Sequence, residues 1–246
     1  MISKQQIKFI NSLKHNKYRL KYDCFIAEGV NVINEFIKAR FEIQDVFAIA
    51  GTQLLVNDVH IISKNDLKKI SFLKNPSNSL AIFKKPILDF DFKNIKKEKL
   101  TIILDGVSDP GNMGTIIRTA DWFGVDNIYI SKQSSDVYSP KVVQATMGSL
   151  ARVSVHRLSL ELLLKRMRKN NIICYGATLS GDSVYKLIKP DCCTIVFGNE
   201  THGVSNNLYK TLKNQVRIPM NNKTRSLNLV SSVSIGASEA LRQLNV

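Results

Sequence analysis

Cysteine is scarce in this chain of 246 residues: Cys24, Cys174, Cys192 and Cys193 are its four, and no CxxC pairs with a second ligand pair. That excludes a disulfide scaffold and a structural zinc site, and it points to a reducing compartment. Long apolar runs are missing too, because no window approaches the roughly eighteen residues a membrane span needs. The opening stretch MISKQQIKFINSLKHNKYRL has no apolar h-region and no small-residue cleavage site, so a soluble, cytoplasmic protein is expected. No internal repeat or low-complexity tract is present. Disorder as the overall state is excluded, since 44% hydrophobic residues suffice for a real core.

Acidic residues are the other shortage. Twenty acids face 35 bases, a net charge of +15, and the isoelectric point of about 9.7 lies in the range of nucleic-acid binders. A lysine-rich composition alone can produce such a sum. The excess is spread evenly, +8 over residues 1–99 and +7 over 100–246, so both halves can meet the same polyanion. It is densest over residues 1–21, where Lys4, Lys8, Lys14, Lys17, Arg19 and Lys21 occur without a single acid, a pattern suited to an arm touching phosphates. Within that arm Ile2, Ile7, Phe9, Ile10 and Leu13 recur at helical spacing.

From Cys24 onward the pattern predicts a small α/β module: CFIAEG as strand and turn, a helix through NVINEFIKARF, strands at DVFAIA and VHIIS, a helix at LKKISFL and a strand at SLAIFKKP. Residues 84–99 are polar, charged and contain a proline, which reads as a linker with a domain boundary near 96. The expected organisation is therefore an arm at 1–21, a module at 22–96 and a larger domain at 97–246. In that last part LTIILD, NIYIS, IICYGATL, TIVFG and VRIPM are continuous apolar runs alternating with helices. Such strands belong to a mostly parallel, wound sheet covered on both faces.

Wound sheets bind ligands at loops leaving the carboxyl ends of their strands, and three such loops stand out. The first, GVSDPGNMGTIIRTADWFG, surrounds Asn112 with Gly111 and Gly114, opens a helix near Thr115 and offers backbone N–H groups to an anion. It matches neither GxGxxG nor GxxxxGK[ST], which argues against a dinucleotide or P-loop site. Arg118 follows one turn into the helix. The second loop runs Gly198-Asn199-Glu200-Thr201-His202-Gly203. Gly198 allows a close approach to the backbone, and Asn199 and Glu200 bring an amide and a carboxylate. His202 has no companion at ligand spacing and reads as a plain loop histidine, so no metal is expected. The third, NNKTRSLNLVSSVSIGASEALRQL, leads through Ser226, Leu227 and Asn228 into a helix of small residues suited to close packing.

Together these stretches resemble the SpoU, or TrmH-type, branch of the SPOUT RNA 2′-O-ribose methyltransferases. DPGNMGTIIRTADWFG, IVFGNETHGVS and IPMNNKTRSLNLVSSVSIGASEALRQ stand in the family's order, with SPKVVQATMGSL between the first two. CFIAEG and its helix look like the family's small L30e-like RNA-binding domain, so the likeness spans nearly the whole chain. One departure is visible: the family continues SLN with Val-Ser-Val, whereas Leu229, Val230 and Ser231 follow here.

The resemblance implies an α/β fold with a deep trefoil knot at the carboxyl end of the sheet. S-adenosylmethionine would be held there mainly by backbone around Gly198, Asn199, Ile218, Met220 and Leu227, with Thr178 nearby. It also implies a homodimer in which Arg118 of one protomer reaches the cofactor pocket of the other, and an RNA substrate, ribosomal RNA of the large subunit before transfer RNA. Arg118 would assist the ribose 2′-oxygen, with Asn112, Glu200, Ser226 and Asn228 shaping the site. A guanidinium scarcely loses its proton, so gripping a phosphate or stabilising a developing alkoxide suits Arg118 better than acting as a base. Asn112 and Glu200 would orient or neutralise it. The alternative from another class is an RNA-binding assembly factor of the same fold without catalysis.

Overall fold

The computed structural model describes residues 2–186, 192–221 and 226–244. In chain order the described residues form α1 (Lys4–Ser12), α2 (Asn16–Tyr22), β1 (Cys24–Glu28), α3 (Val30–Lys38), β2 (Ile43–Ala48), β3 (His60–Ile61), α4 (Lys64–Ile70), β4 (Ser79–Lys84) and α5 (Phe92–Ile95). There follow β5 (Leu100–Leu104), α6 (Pro110–Trp122), β6 (Asn127–Ile130), α7 (Pro140–Ala145), β7 (Ser154–Arg157), α8 (Leu160–Lys169), β8 (Cys174–Ser183), β9 (Cys193–Phe197), α9 (Asn206–Tyr209), β10 (Asn214–Arg217) and α10 (Leu229–Gln243). They gather into two compact units, one of Met1–Ile87 with Asp136–Arg152, the other of Leu88–Ser135 with Val153–Val246.

The first unit is a four-stranded sheet of order β1-β4-β2-β3, antiparallel except for β2 with β3. The basic amino-terminal stretch is part of its core. Helix α1 starts with a capping box, in which the Ser3 hydroxyl accepts from Gln6 N at 3.1 Å and the Gln6 side chain from Ser3 N at 2.9 Å. It then buries Ile10 against Ile26, Leu67, Ile70 and Ile82. Lys4, Lys8, Lys14, Lys17 and Lys21 stay exposed, but Arg19 does not: it is 3% exposed. Its guanidinium donates to Asp136 at 2.6 and 3.0 Å and to the Leu13 and Lys14 carbonyls at 2.7 Å each. Of the six cations expected to meet phosphate, Arg19 is thus a structural one.

Asp136 belongs to the segment 136–152, which sequence order places in the second half of the chain. Tyr138 of that segment stacks on Phe25 with ring centres 5.0 Å apart, inside a cluster with Phe36, Phe41 and Phe83. Burial raises the Tyr138 phenol well above its ordinary value. Arg152 pairs with Glu35, and Gly148 sits so close to that glutamate that a Cβ would lie 2.7 Å from its Cγ. With φ at +96°, only glycine serves at 148. SPKVVQATMGSL therefore does its packing in the amino-terminal unit, which neither apolar periodicity nor chain order indicated. The boundary also moves from near 96 to Ile87/Leu88. Phe92 and Ile95 of the expected linker form one turn, capped by Asp91, whose apolar side is buried in the second unit. The lysines around these two apolar residues masked them.

The second unit is a six-stranded parallel sheet of order β10-β8-β9-β5-β6-β7. Every residue of β5 and β9 is buried, as unbroken apolar runs require. Ile103 and Val196 point into a cluster with α5, α8 and α9, through Phe92, Leu163, Met167 and Leu208. The alternate residues Ile195 and Phe197 meet α10, where Gly236 lets the helix approach until a Cβ would stand 3.0 Å from the Phe197 ring. The small-residue helix thus packs closely, as its composition predicted, and Leu229 is buried at its start despite the departure from the family pattern. Helix α6 begins at Pro110, five residues before the expected Thr115, because Asp109 caps it by accepting from Asn112 N at 2.8 Å and proline suits its first position.

Replacing Asp136 by alanine leaves a buried guanidinium with only two carbonyls, and a loss of about 3 kcal/mol is expected in urea unfolding. A loss below about 1 kcal/mol would show that the pair contributes little net stability.

Candidate functional site

Three loops at the carboxyl ends of β5, β6 and β9 are stitched together. Gly106 N donates to the Ser131 hydroxyl at 2.8 Å and Ser135 N to the Val107 carbonyl at 2.8 Å. Arg157, at the end of β7, spans the carbonyls of Ser131, Lys132, Ser134 and Ser135 at 2.6 to 3.2 Å. The β9 loop is fixed more tightly. Asn199 pairs with Gly203 through both backbone groups at 2.8 and 2.9 Å, its side-chain oxygen accepts from Thr201 N and His202 N, and its amide donates to the Gly106 carbonyl at 2.7 Å. Ser205 N donates to Asp105 at 2.8 Å.

Glu200 lies at the centre. Its carboxylate accepts from Ser108 N at 3.4 Å, Ser108 Oγ at 3.2 Å, Asp109 N at 3.3 Å, Asn112 Nδ2 at 3.1 Å and Asn199 Nδ2 at 3.3 Å. Desolvation by partial burial works against the charged form. The hydrogen bonds outweigh it and hold the carboxyl below the usual glutamate value. The carboxylate also sits at the positive end of α6, so the anion received by the N–H groups of the first loop is the protein's own Glu200.

Asn112 and Glu200 are thus brought together as expected, but not around Arg118. Arg118 is exposed on α6 and makes no hydrogen bond or ion pair with any described residue. Six residues of helix separate it from Asn112, about 9 Å of rise on a different face. Asn228 caps α10, its side-chain oxygen accepting from Val230 N at 2.9 Å and Ser231 N at 3.4 Å. Ser226 is exposed two residues earlier, and residues 222–225 of NNKTR fall outside the described residues.

The positions expected to hold a cofactor line the ends of β8, β9 and β10. Strand β8 pairs with β10 at Gly176 and again only at Asp182, so Thr178 lies in an irregular stretch, its hydroxyl donating to the Ser180 carbonyl. Ile218 is half-buried, while Met220 and Leu227 are 51% and 49% exposed. Gly198 has a different reason than ligand approach: a Cβ there would stand 1.9 Å from the Gly203 carbonyl carbon, so the missing side chain admits the returning backbone. Sequence reasoning passed over Asp105, Ser108 and Asp109. The Asp-Pro pair at 109–110 was the available signal, as a helix cap followed by proline in the first position. Among the described residues no group of three or more His, Cys, Asp or Glu is placed to hold a metal, and no helix is long and apolar enough to cross a membrane.

Fold and site define an α/β protein whose ligand loops converge at the carboxyl end of a parallel sheet, behind a separate amino-terminal unit. The SpoU rRNA Methylase family model matches residues 99–238, more than half the chain, and the MRM3-like substrate binding domain matches residues 4–81. The chain belongs to the SpoU rRNA methylase family. It is 23% identical over 237 residues, 94% of each chain, to the Bacillus subtilis (strain 168) protein named 23S rRNA (guanosine(2553)-2′-O)-methyltransferase RlmP. It is 32% identical over 222 residues, 86% of this chain and 87% of the relative, to a Staphylococcus aureus (strain COL) protein assigned to the TrmH family of tRNA/rRNA methyltransferases. A crystal structure of an AdoMet-bound rRNA methyltransferase from Sinorhizobium meliloti superposes with a TM-score of 0.86 at 26% identity, covering 99% of this chain and 97% of that one.

Two outcomes follow. Gly198→Ala forces a side chain into backbone and should cost roughly 3 kcal/mol or more, read as a fall in the unfolding midpoint, whereas a neutral result would mean the crossing relaxes freely. Because the folded pKa of Glu200 is depressed, its contribution is present above the unfolded value and lost as pH falls through the folded one. The wild type should therefore lose stability relative to Glu200→Gln on acidification from about pH 6 to about pH 3.5, measured by thermal melting.

Proposed function

We propose that this chain transfers a methyl group from S-adenosylmethionine to a ribose 2′-OH of structured RNA, in large-subunit ribosomal RNA before transfer RNA. The observation that carries the reading is the Glu200 network. It locks the β9 loop onto the start of α6 and leaves Arg118 on that same helix exposed and without a partner among the described residues. Family membership and the methyltransferase names of the relatives support the same chemistry.

The donor set fits the cofactor by its chemistry. Met220 and Leu227 offer apolar surface to water beside loop backbone, which suits the flat, apolar faces and hydrogen-bonding edge of an adenine, and no charged side chain is needed. Gly198, Asn199, Ile218, Met220 and Leu227 would hold it, with Thr178 at the margin; when bound, it supplies an electrophilic sulfonium methyl. In this reading the chain is knotted at these loops. Support comes from the path of the backbone, which leaves β10 at the sheet edge beside β8 and returns as α10 over β9 and β5.

Arg118 grips the phosphate of the target nucleotide in bidentate fashion or stabilises the developing alkoxide. The proton passes to phosphate or water, since the guanidinium keeps its own. Asn112 and Glu200 act on the loop and not on Arg118. Ser226 and the outer amide edge of Asn228 are left for the ribose. A homodimer is part of the reading: the Arg118 of one protomer serves the cofactor pocket of the other, which explains why the chain's own carboxylate does not neutralise it. The first unit, with Lys4, Lys8, Lys14, Lys17 and Lys21 exposed, takes the RNA phosphates. The setting is the cytoplasm, in keeping with four free cysteines.

The test is transfer of labelled methyl from S-adenosylmethionine to unmodified total RNA, separated afterward into ribosomal and transfer classes. Label should enter one class at an alkali-resistant linkage, and Arg118→Ala should cut turnover by about 10²-fold or more. No label in any RNA, with cofactor and RNA both bound, would favour the non-catalytic assembly factor. An Arg118→Lys enzyme that kept most of its turnover would reject the bidentate role.

A further inference from the structure

Trp122, the single tryptophan of the chain, is the last residue of α6 and is 85% exposed. A lone exposed apolar side chain needs no explanation. This one, however, stands four residues beyond Arg118, hence on the same helix face about 5 to 6 Å away. Thr115, one turn before Arg118, is exposed on that face as well, and Asp121, the only acid of the helix, already has an interaction within the chain. The opposite side is held firmly: Met113, Ile116, Ile117 and Ala120 are buried and Asp109 caps the start. The face is therefore preorganised, with a flat indole beside a guanidinium that no described residue engages.

We propose that Trp122 is a stacking platform for a nucleobase of the substrate RNA, next to the nucleotide whose phosphate or ribose meets Arg118. This rests on the RNA methyltransferase reading above. An aromatic plane beside an Arg is what exposed, unstacked bases require, because every base has a π-face and its phosphate needs a cation. A second copy of the chain is the other occupant such a Trp and Arg pair suits. Charge favours RNA, because each copy carries +15 and a polyanion satisfies Arg118 where another basic surface does not. Trp122 is a positioning residue: it touches the neighbouring base and leaves the transfer step to the loops.

The full chain carries its own probe, since emission excited beyond the tyrosine absorption comes from Trp122 alone. Titration with an unmodified large-subunit ribosomal RNA transcript should quench that emission in step with binding, while inorganic polyphosphate should not. Trp122→Ala should raise the KM for RNA by roughly 5- to 150-fold with kcat nearly unchanged, and Trp122→Phe should recover most of it. Unchanged emission with RNA bound overturns the platform, and so does a Trp122→Ala enzyme with an unaltered KM. Emission that shifts with protein concentration before RNA is added, together with a lower sedimenting mass for Trp122→Ala, assigns the face to a second copy and also overturns it. Quenching reads the platform whether or not methyl is transferred, so failure of the function reading and failure of this inference remain distinguishable.

Discussion

The Glu200 carboxylate decides how the loops of the second unit are arranged. It accepts from the N–H groups of Ser108 and Asp109, the Ser108 hydroxyl and the amides of Asn112 and Asn199, and so ties the exit of β9 to the entry of α6. Several moderate hydrogen bonds to one ionised group at a positive helix end offset its desolvation, which is why the group stays charged. Without it the Gly198–Gly203 loop would keep only its internal turn, the Asn199 bond to the Gly106 carbonyl and the Ser205 bond to Asp105. The loops that would face a cofactor are therefore set by a carboxylate that need not touch it.

The same economy appears in the first unit, where a charge that reads as a phosphate contact is part of the frame. Arg19 satisfies two carbonyls at the α1–α2 corner and the Asp136 carboxylate at once. That corner is thereby joined to a segment from the other half of the chain. Residues 136–152 supply this unit with Tyr138 on Phe25, Arg152 on Glu35 and the close approach at Gly148. The amino-terminal unit is complete only with a piece encoded fifty residues beyond its own end. An RNA-binding unit built this way cannot be cut away at the sequence boundary without losing part of its core.

Much of this was legible in advance. Unbroken apolar strands alternating with helices gave the parallel sheet, since a strand buried on both faces has no polar positions to alternate with. The small residues of α10 foretold close packing, and Gly236 against Phe197 is that contact. The set Asn112, Glu200, Asn199 and Gly198 was readable as loop residues at strand exits. Their partners were not: Glu200 was expected beside Arg118 and lies on Ser108, Asp109 and Asn112 instead. Spacing along a chain does not reveal which turn of a helix a distant carboxylate meets.

What the sequence determined by itself is therefore local and compositional: the elements, their buried faces, the loops where polar residues collect, and the basic surplus suited to a polyanion. These follow from periodicity and residue chemistry, which act over a few positions. Tertiary structure alone decided that Arg19 is buried, that 136–152 completes the first unit, that Gly198 is small to admit backbone, and that Arg118 and Trp122 stand unpartnered on one exposed face. Each of these depends on segments far apart in the chain arriving within a few ångströms of one another, and no local pattern carries that distance.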